Sequence, residues 1–464
     1  MSRTAGAPGL TAGEIARKTL HVGVGLMALL LPWLTRWQAA SICAAAFLMN
    51  WQVLPRITRH RLEREDERRK GFAEGILEYP LAVGALFVLF GSRMEVVAAA
   101  WAILAFGDGF ATIAGKTLGG ARLPWNPDKT FSGLLAFVAF GGLASTAMAT
   151  WVFSGAHPTA VEPPLMIACY TAALLAGLVE SLPTGVNDNI SVPLISGAFL
   201  YSLTYVDLGR LTGNTDHLAR QLAWGAAVNL LVSGAAWMAR TVKTSGAIAG
   251  FLIGVIVYAF GGWQAYVILI LFFVLASAAT SVGYERKAAK RIAQAEGGRR
   301  GARHAIANCG VPAFLAFLAA TTVHTDLCMT ALAAALATAV FDTVSSEIGQ
   351  VYGKRPFLIT TFRRVPPGTD GAVSMEGTLA GLSAAAVLAA ASFGLGMMGG
   401  IGWAGAIIVV VAAFIGTTAE SYLGALSLGA AGDMLSRIDN EAMNFANTAV
   451  GALSAMALCA LVLS

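Results

Sequence analysis

The chain has 464 residues, of which 12% are charged and 56% hydrophobic, with 52 glycines and a formal net charge of +5. A soluble domain carries about 25% charged residues, so the composition excludes an ordinary soluble globular protein and points to the membrane. Basic loops facing the cytosol account for the excess charge, no nucleic-acid module is recognisable, and no nucleic-acid partner is expected.

Taken in chain order, apolar stretches predict spans near 20–35, 37–54, 76–91, 95–114, 131–153, 164–180, 190–206, 219–239, 246–260, 263–283, 304–322, 326–344, 378–397, 400–419 and 442–463. A span takes about 20 residues, so these make about fifteen transmembrane helices in an all-α polytopic membrane protein. Arg3, Arg17 and Lys18 precede the first span and place the N-terminus in the cytosol. Alternation then puts Arg56 to Lys70, Lys116 to Lys129, Arg240 to Lys243, Arg286 to Arg303 and Lys354 to Arg364 inside, and the C-terminus outside. The expected location is the plasma membrane. The scattered cysteines Cys43, Cys169, Cys309, Cys328 and Cys459 have no metal-ligand spacing and read as core residues.

The chain matches itself. Asp108, Thr112, Gly115 and Gly119 recur as Asp342, Ser346, Gly349 and Gly353, in each case along one face of a helix. Lys129 and Arg363 follow their aspartates at the same distance, and Glu180 with Asp188-Asn189 is echoed by Glu420 with Asp439-Asn440. Two parallel repeats of about seven spans, 1–215 and 240–464, would then share one orientation if the unmatched span within 216–239 links them.

An acidic residue inside an apolar span is costly and reads as functional by default. Asp108 and Asp342 are therefore the leading catalytic candidates, placed near the cytosolic ends of their helices. Asp188 and Asp439 are the other catalytic candidates. Carboxylates that hold Mg²⁺, cations that meet phosphates and glycines that allow close approach are the parts of phosphoryl transfer. On that reading Asp108, Glu180, Asp188 and Asn189 form one metal-binding set, and Asp342, Glu347, Glu420, Asp439 and Asn440 the other. Arg17, Lys18, Gly115, Lys116, Gly119, Lys129, Thr130, Gly349, Arg363 and Arg364 are candidates for nucleotide or phosphate contact. Each has a plainer reading: the glycine pairs as helix-packing devices, the lysines as positive-inside residues, and His21 and His304 as interfacial histidines.

Arg17-Lys18-Thr-Leu-His21, Gly107-Asp108 through Gly119, Asp128-Lys129-Thr130, Glu180 and Asp188-Asn189 to Pro193 resemble the phytol, farnesol and dolichol kinase family over residues 10–206. Residues 240–464 are similar to the family of plant phytyl-phosphate kinase and the animal proteins called transmembrane protein nineteen. That likeness rests on Thr244 to Gly250, Asn308 with Pro312, Asp342 to Gly349, and Val365 to Gly371. It adds Asn308, Gly368 and Thr369 to the phosphate-contact candidates. Together the resemblances imply a bifunctional enzyme that phosphorylates a prenyl alcohol (phytol, geranylgeraniol or farnesol) with CTP or another nucleoside triphosphate and Mg²⁺, then converts the monophosphate to a diphosphate. The alternatives are a cytidylyltransferase acting on a lipid phosphate and a secondary transporter.

Overall fold

The computed structural model describes residues 12–54, 56, 74–157, 161–182, 186–213, 215–289, 298–429 and 439–463. The Arg56 to Lys70 loop, beyond Arg56 itself, lies outside them, as does part of the Arg286 to Arg303 loop. The chain is an all-α polytopic membrane protein whose contacts divide it into two compact units, Met1–Thr204 and Tyr205–Ser464. Among the described residues, nine helices are long and apolar enough to cross a membrane. The expected spans at 246–260 and 263–283 are two helical segments within Thr244–Ser281, separated by a kink at Gly262, where φ is +78°.

In the first unit, Met94–Thr117 is the central helix: 78% of its most apolar stretch is buried, against 39% for Phe131–Phe153 and for Pro163–Ser181. Helix Thr325–Tyr352 has the same place in the second unit, with 89% buried. Packing runs opposite to that of a soluble bundle. On Phe131–Phe153 the large apolar Leu135, Leu143 and Phe153 face outward, while Gly133, Gly141 and Gly142 are buried. Lipid is as apolar as leucine, so burying large side chains gains little there, and small residues let helices close on each other. On the enclosed Thr325–Tyr352, Ala331, Ala333 to Ala335, Ala337 and Ala339 are buried together with Leu332, Leu336 and Phe341.

The same local construction occurs once in each unit. After the central helix a short antiparallel hairpin leads into the next helix, whose first turn is capped by a hydroxyl. Thr130 Oγ1 accepts from Gly133 N at 3.1 Å, and Ser374 Oγ accepts from Gly377 N at 3.2 Å. These caps satisfy backbone donors that would otherwise be orphaned in an apolar setting. A Cβ on Gly115 would stand 3.1 Å from Thr130 Oγ1 and 3.8 Å from Gly133 Cα; on Gly349 it would stand 3.0 Å from Ser374 Oγ and 3.7 Å from Gly377 Cα. Gly115 and Gly349 therefore serve the crossing of two helices. The construction also revises one pairing: the residue before the cap is Lys129 in one unit and Val373 in the other. Arg363 is consequently not the structural counterpart of Lys129, because the second hairpin loop is longer and absorbs the extra residues.

Candidate functional site

Asp108 ends a π-helical turn, Ile103–Asp108, in the central helix of the first unit. Such turns break helical register, reorient a side chain and are frequent at functional sites. Asp108 lies nine residues before Thr117, or about 14 Å along the axis at 1.5 Å per residue. It is thus set deeper than the helix end where the sequence placed it, and Asp342 lies a similar distance before Tyr352. The N-terminal helix Ala12–Gly25 brings a lysine and a histidine to this buried acid. Lys18 Nζ donates to Asp108 Oδ2 at 2.6 Å, and His21 Nε2 lies 3.4 Å from the same oxygen. His21 also packs edge-on against Tyr79, whose hydroxyl accepts from Trp101 Nε1 at 2.8 Å. Arg17, a turn away, is half-buried on the same helix.

The hairpin Arg122–Leu123 with Asn126–Thr130 completes the cluster. Trp125 Nε1 donates to Ser181 Oγ and Asn126 Nδ2 to Ser181 O, both at 3.0 Å, tying the hairpin to the end of helix Pro163–Ser181. Lys129 is thereby held against Glu180, near the end of that helix, and 3.6 Å from Asp188, at the start of helix Asp188–Leu203. Burial works against the Lys129 ammonium, but Glu180 and Asp188 outweigh it and hold its pKa above the ordinary lysine value. Asn187 caps the Asp188 helix through Asn189 N at 3.0 Å, and Asn189 lies beside Gly75. The structure therefore brings Lys18, Asp108, Lys129, Glu180 and Asp188 together as one charged cluster, in which both lysines meet carboxylates. Lys116 is half-buried, while Gly119, with φ at +61°, forms the turn out of the helix.

In the second unit a cavity of about 640 Å³ is lined by Asp342, Glu347, Gly349, Glu420, Asn440 and Asn444, and by the loop carrying Gly368, Thr369 and Asp370. The carboxyl groups of Asp342 and Glu420 adjoin one another at this cavity, and Asn447 Nδ2 donates to Glu420. No Lys or Arg among the described residues pairs with either acid, in contrast to Asp108. Glu347 is held by Lys287, and both are nearly inaccessible. Asp439 stands apart from the cavity: it caps helix Asn440–Leu463 through Ala442 N at 2.8 Å and pairs with Arg303. Arg363 and Arg364 are exposed on the hairpin loop. Asn308 is buried and donates to His304 O at 2.9 Å, on the wall of a different cavity.

Lys287 and Asn447 escaped sequence reading. Lys287 sits in a run of basic residues that looks like an ordinary cytosolic loop, and Asn447 is one of several polar residues in the final span. His304 was visible, but only as an interfacial histidine. Nothing in one sequence separates a lysine in solvent from one folded back onto a glutamate sixty positions away.

Gly371 fastens the second hairpin to the helix that carries Glu420. Its φ is +70°, and a Cβ there would stand 2.2 Å from the backbone N of Ala425. Gly371→Ala is expected to cost about 1–3 kcal/mol in strain, seen as a lower unfolding midpoint in detergent. Gly234→Ala, whose Cβ would meet nothing within 4 Å, should leave that midpoint unchanged.

Among the described residues no three His, Cys, Asp or Glu side chains converge as a ready metal-ligand set. Mg²⁺ usually needs only one or two carboxylates, with water and substrate phosphates supplying the rest. The Asp342–Glu420 pair, without a Lys or Arg partner among the described residues and facing the cavity, fits that requirement.

Residues 227–452 match the family described as integral membrane protein DUF92. The chain is 37% identical to an uncharacterized membrane protein of Synechocystis over 45% of its own length and 79% of that protein. It is 36% identical to protein VTE6, chloroplastic, of Arabidopsis thaliana over 50% of this chain and 71% of that one. The farnesol kinase, chloroplastic, of Arabidopsis thaliana is 24% identical over 41% of this chain and 66% of its own. No solved structure matches. Similarity reaching across more than two-thirds of two relatives, together with a polytopic helical fold, means that this chain belongs to the DUF92 family of integral membrane proteins.

Proposed function

We propose that the chain is an isoprenoid lipid kinase that works in two steps, prenyl alcohol to monophosphate in the first unit and monophosphate to diphosphate in the second. The observation that carries this reading is an acidic centre on the central helix of each unit, one paired with lysines and one facing a cavity with no Lys or Arg partner among the described residues. The relative named farnesol kinase supports the substrate class. Burial of a prenyl chain contributes about 0.8 kcal/mol per CH₂, so such an alcohol stays in the bilayer and must be met by a membrane enzyme. The two fused activities, the repeat, the cytosolic orientation and the plasma-membrane location belong to the same proposal.

In the first step the alcohol oxygen attacks the γ-phosphorus of CTP or another nucleoside triphosphate. A new P–O bond forms, the bond to the β-phosphate oxygen breaks, the nucleoside diphosphate leaves, and the hydroxyl proton passes to a carboxylate of the Asp108, Glu180 and Asp188 cluster. Lys18 and Lys129 orient these acids and offset the charge of the phosphates. In the second step a phosphate oxygen of the lipid monophosphate attacks a second nucleotide in the same manner. Asp342 and Glu420 would hold Mg²⁺ there, which when bound neutralises the transferred phosphoryl group. Gly368 and Thr369 offer a hydroxyl and backbone groups at the cavity wall.

The test is to incubate membranes containing the chain with geranylgeraniol and γ-labelled CTP. Labelled mono- and diphosphate are expected. Asp108→Asn should reduce monophosphate formation by roughly 10²- to 10⁴-fold, while supplied monophosphate is still converted to diphosphate. A CDP-linked lipid with release of pyrophosphate would sink the kinase reading.

A further inference from the structure

Apart from the acidic cavity, the second unit contains an apolar one of about 110 Å³ between helices Thr215–Met238, Thr244–Ser281 and Ala302–Thr321. Val232, Ile253, Leu269 and Phe273 contribute to its apolar walls. Most of its polar groups are already satisfied within the protein. Asn229 accepts from Tyr266 Oη at 3.1 Å and donates to Gly225 O, and Asn308 donates to His304 O. His304 is the exception, because its Nε2 is buried without a hydrogen-bond partner. His304 also lines the acidic cavity, so a single side chain borders both spaces. Beside it Arg300 is buried, with a long contact of 3.4 Å from Nη2 to Thr280 Oγ1.

A space lined mainly by apolar side chains, with an imidazole whose Nε2 is buried and a buried guanidinium also on its wall, suits an amphiphile with a hydrocarbon tail and an anionic head. A buried polar atom left without a partner is costly, and ligands often supply the missing one. We propose that this cavity receives the head-proximal part of a prenyl monophosphate's tail, with His304 and Arg300 meeting the phosphate where it enters the acidic cavity. The identity of the headgroup rests on the kinase reading above; the place of the tail does not. A cavity of roughly 150 Å³ takes a benzene-sized group, so this one holds only the first part of the chain, and the remainder lies in the bilayer.

Gly250 makes the idea testable. It lines the cavity, and a Cβ on it would meet no heavy atom within 4 Å. Gly250→Leu starts from an unobstructed Cβ and adds bulk to the cavity, and Gly250→Ala controls for the loss of glycine. With the full chain in lipid nanodiscs, Gly250→Leu should raise the KM for geranylgeranyl monophosphate about tenfold or more, the scale on which apolar pockets discriminate. The KM for isopentenyl monophosphate, whose five carbons lie in the same head-proximal space, should rise by a similar factor, and Gly250→Ala should behave as wild type. His304→Gln should raise KM for both lengths, as a contact to the head requires. An unchanged KM for the long substrate in Gly250→Leu would overturn the assignment while leaving the kinase reading intact.

A second measurement separates the two ideas if the wild type forms no diphosphate, an outcome that counts against the kinase reading. A geranylgeranyl phosphate carrying a diazirine near its head should label peptides from 215–238, 244–281 or 302–321, and Gly250→Leu should suppress that label. Labelling confined to other segments, or equal labelling of the variant, would overturn the cavity assignment whatever the turnover.

Discussion

Asp342→Asn is expected to make lipid monophosphate the end product of the wild-type substrate mixture. The two-step reading assigns Asp342 to the second transfer, and asparagine keeps the shape of the side chain while removing its charge. Its amide can still donate to Glu420, so the contact between the central helix and helix Trp403–Gly429 is retained. Diphosphate formation should fall by roughly 10²- to 10³-fold, the range for removing one electrostatic stabiliser of the transferred group, with monophosphate accumulating in proportion. Chromatography of the labelled lipids reads both quantities at once. Glu420→Gln should act in the same direction, because the two acids face one cavity. Diphosphate formed at the wild-type rate by Asp342→Asn would remove the second unit from the second reaction. Paired with Asp108→Asn, which should block the first transfer alone, the experiment distinguishes consecutive from redundant sites.

The largest effect on stability is expected from Lys287→Met. Lys287 Nζ donates to Glu347 Oε2 and, at 2.9 Å, to Thr280 O, and both charged side chains are nearly inaccessible. Desolvating two ions offsets most of their mutual attraction, so the pair itself contributes little net stability. Breaking it is another matter, since Glu347 would remain buried without its counter-ion. The cost of such a loss is about 3–5 kcal/mol, which should appear as a marked fall in the unfolding midpoint in detergent. The double variant Lys287→Met with Glu347→Gln should recover much of that loss. A single variant as stable as wild type would show that Glu347 finds another partner.

Much of the fold was legible in the residues themselves. The apolar stretches correspond to helices along the chain, and the two aspartates that stand out by the cost of placing them there lie on the central helix of each unit. Glu180 and Asp188 stand out in the sequence as one acidic set and Lys129 as a phosphate-contact candidate, because acids and bases are rare in this chain; the fold is what joins the lysine to the two acids. Pairing by chain distance failed at Arg363. Loop length changes freely between related segments, whereas the capping hydroxyl is tied to a helix start, so Thr130 and Ser374 mark the register more faithfully than the basic residues do.

The sequence by itself determined that this is a membrane protein and which rare polar residues deserve a role, since both follow from the cost of transferring groups into hydrocarbon. Only the tertiary structure decided how those residues are used. It set Lys18 on Asp108 and left Asp342 facing Glu420, moved Asp439 to a helix cap, folded Lys287 onto Glu347, and put His304 between an apolar and an acidic cavity. Such outcomes depend on which helix faces meet across long stretches of chain, where small residues allow close contact. No local pattern encodes that choice.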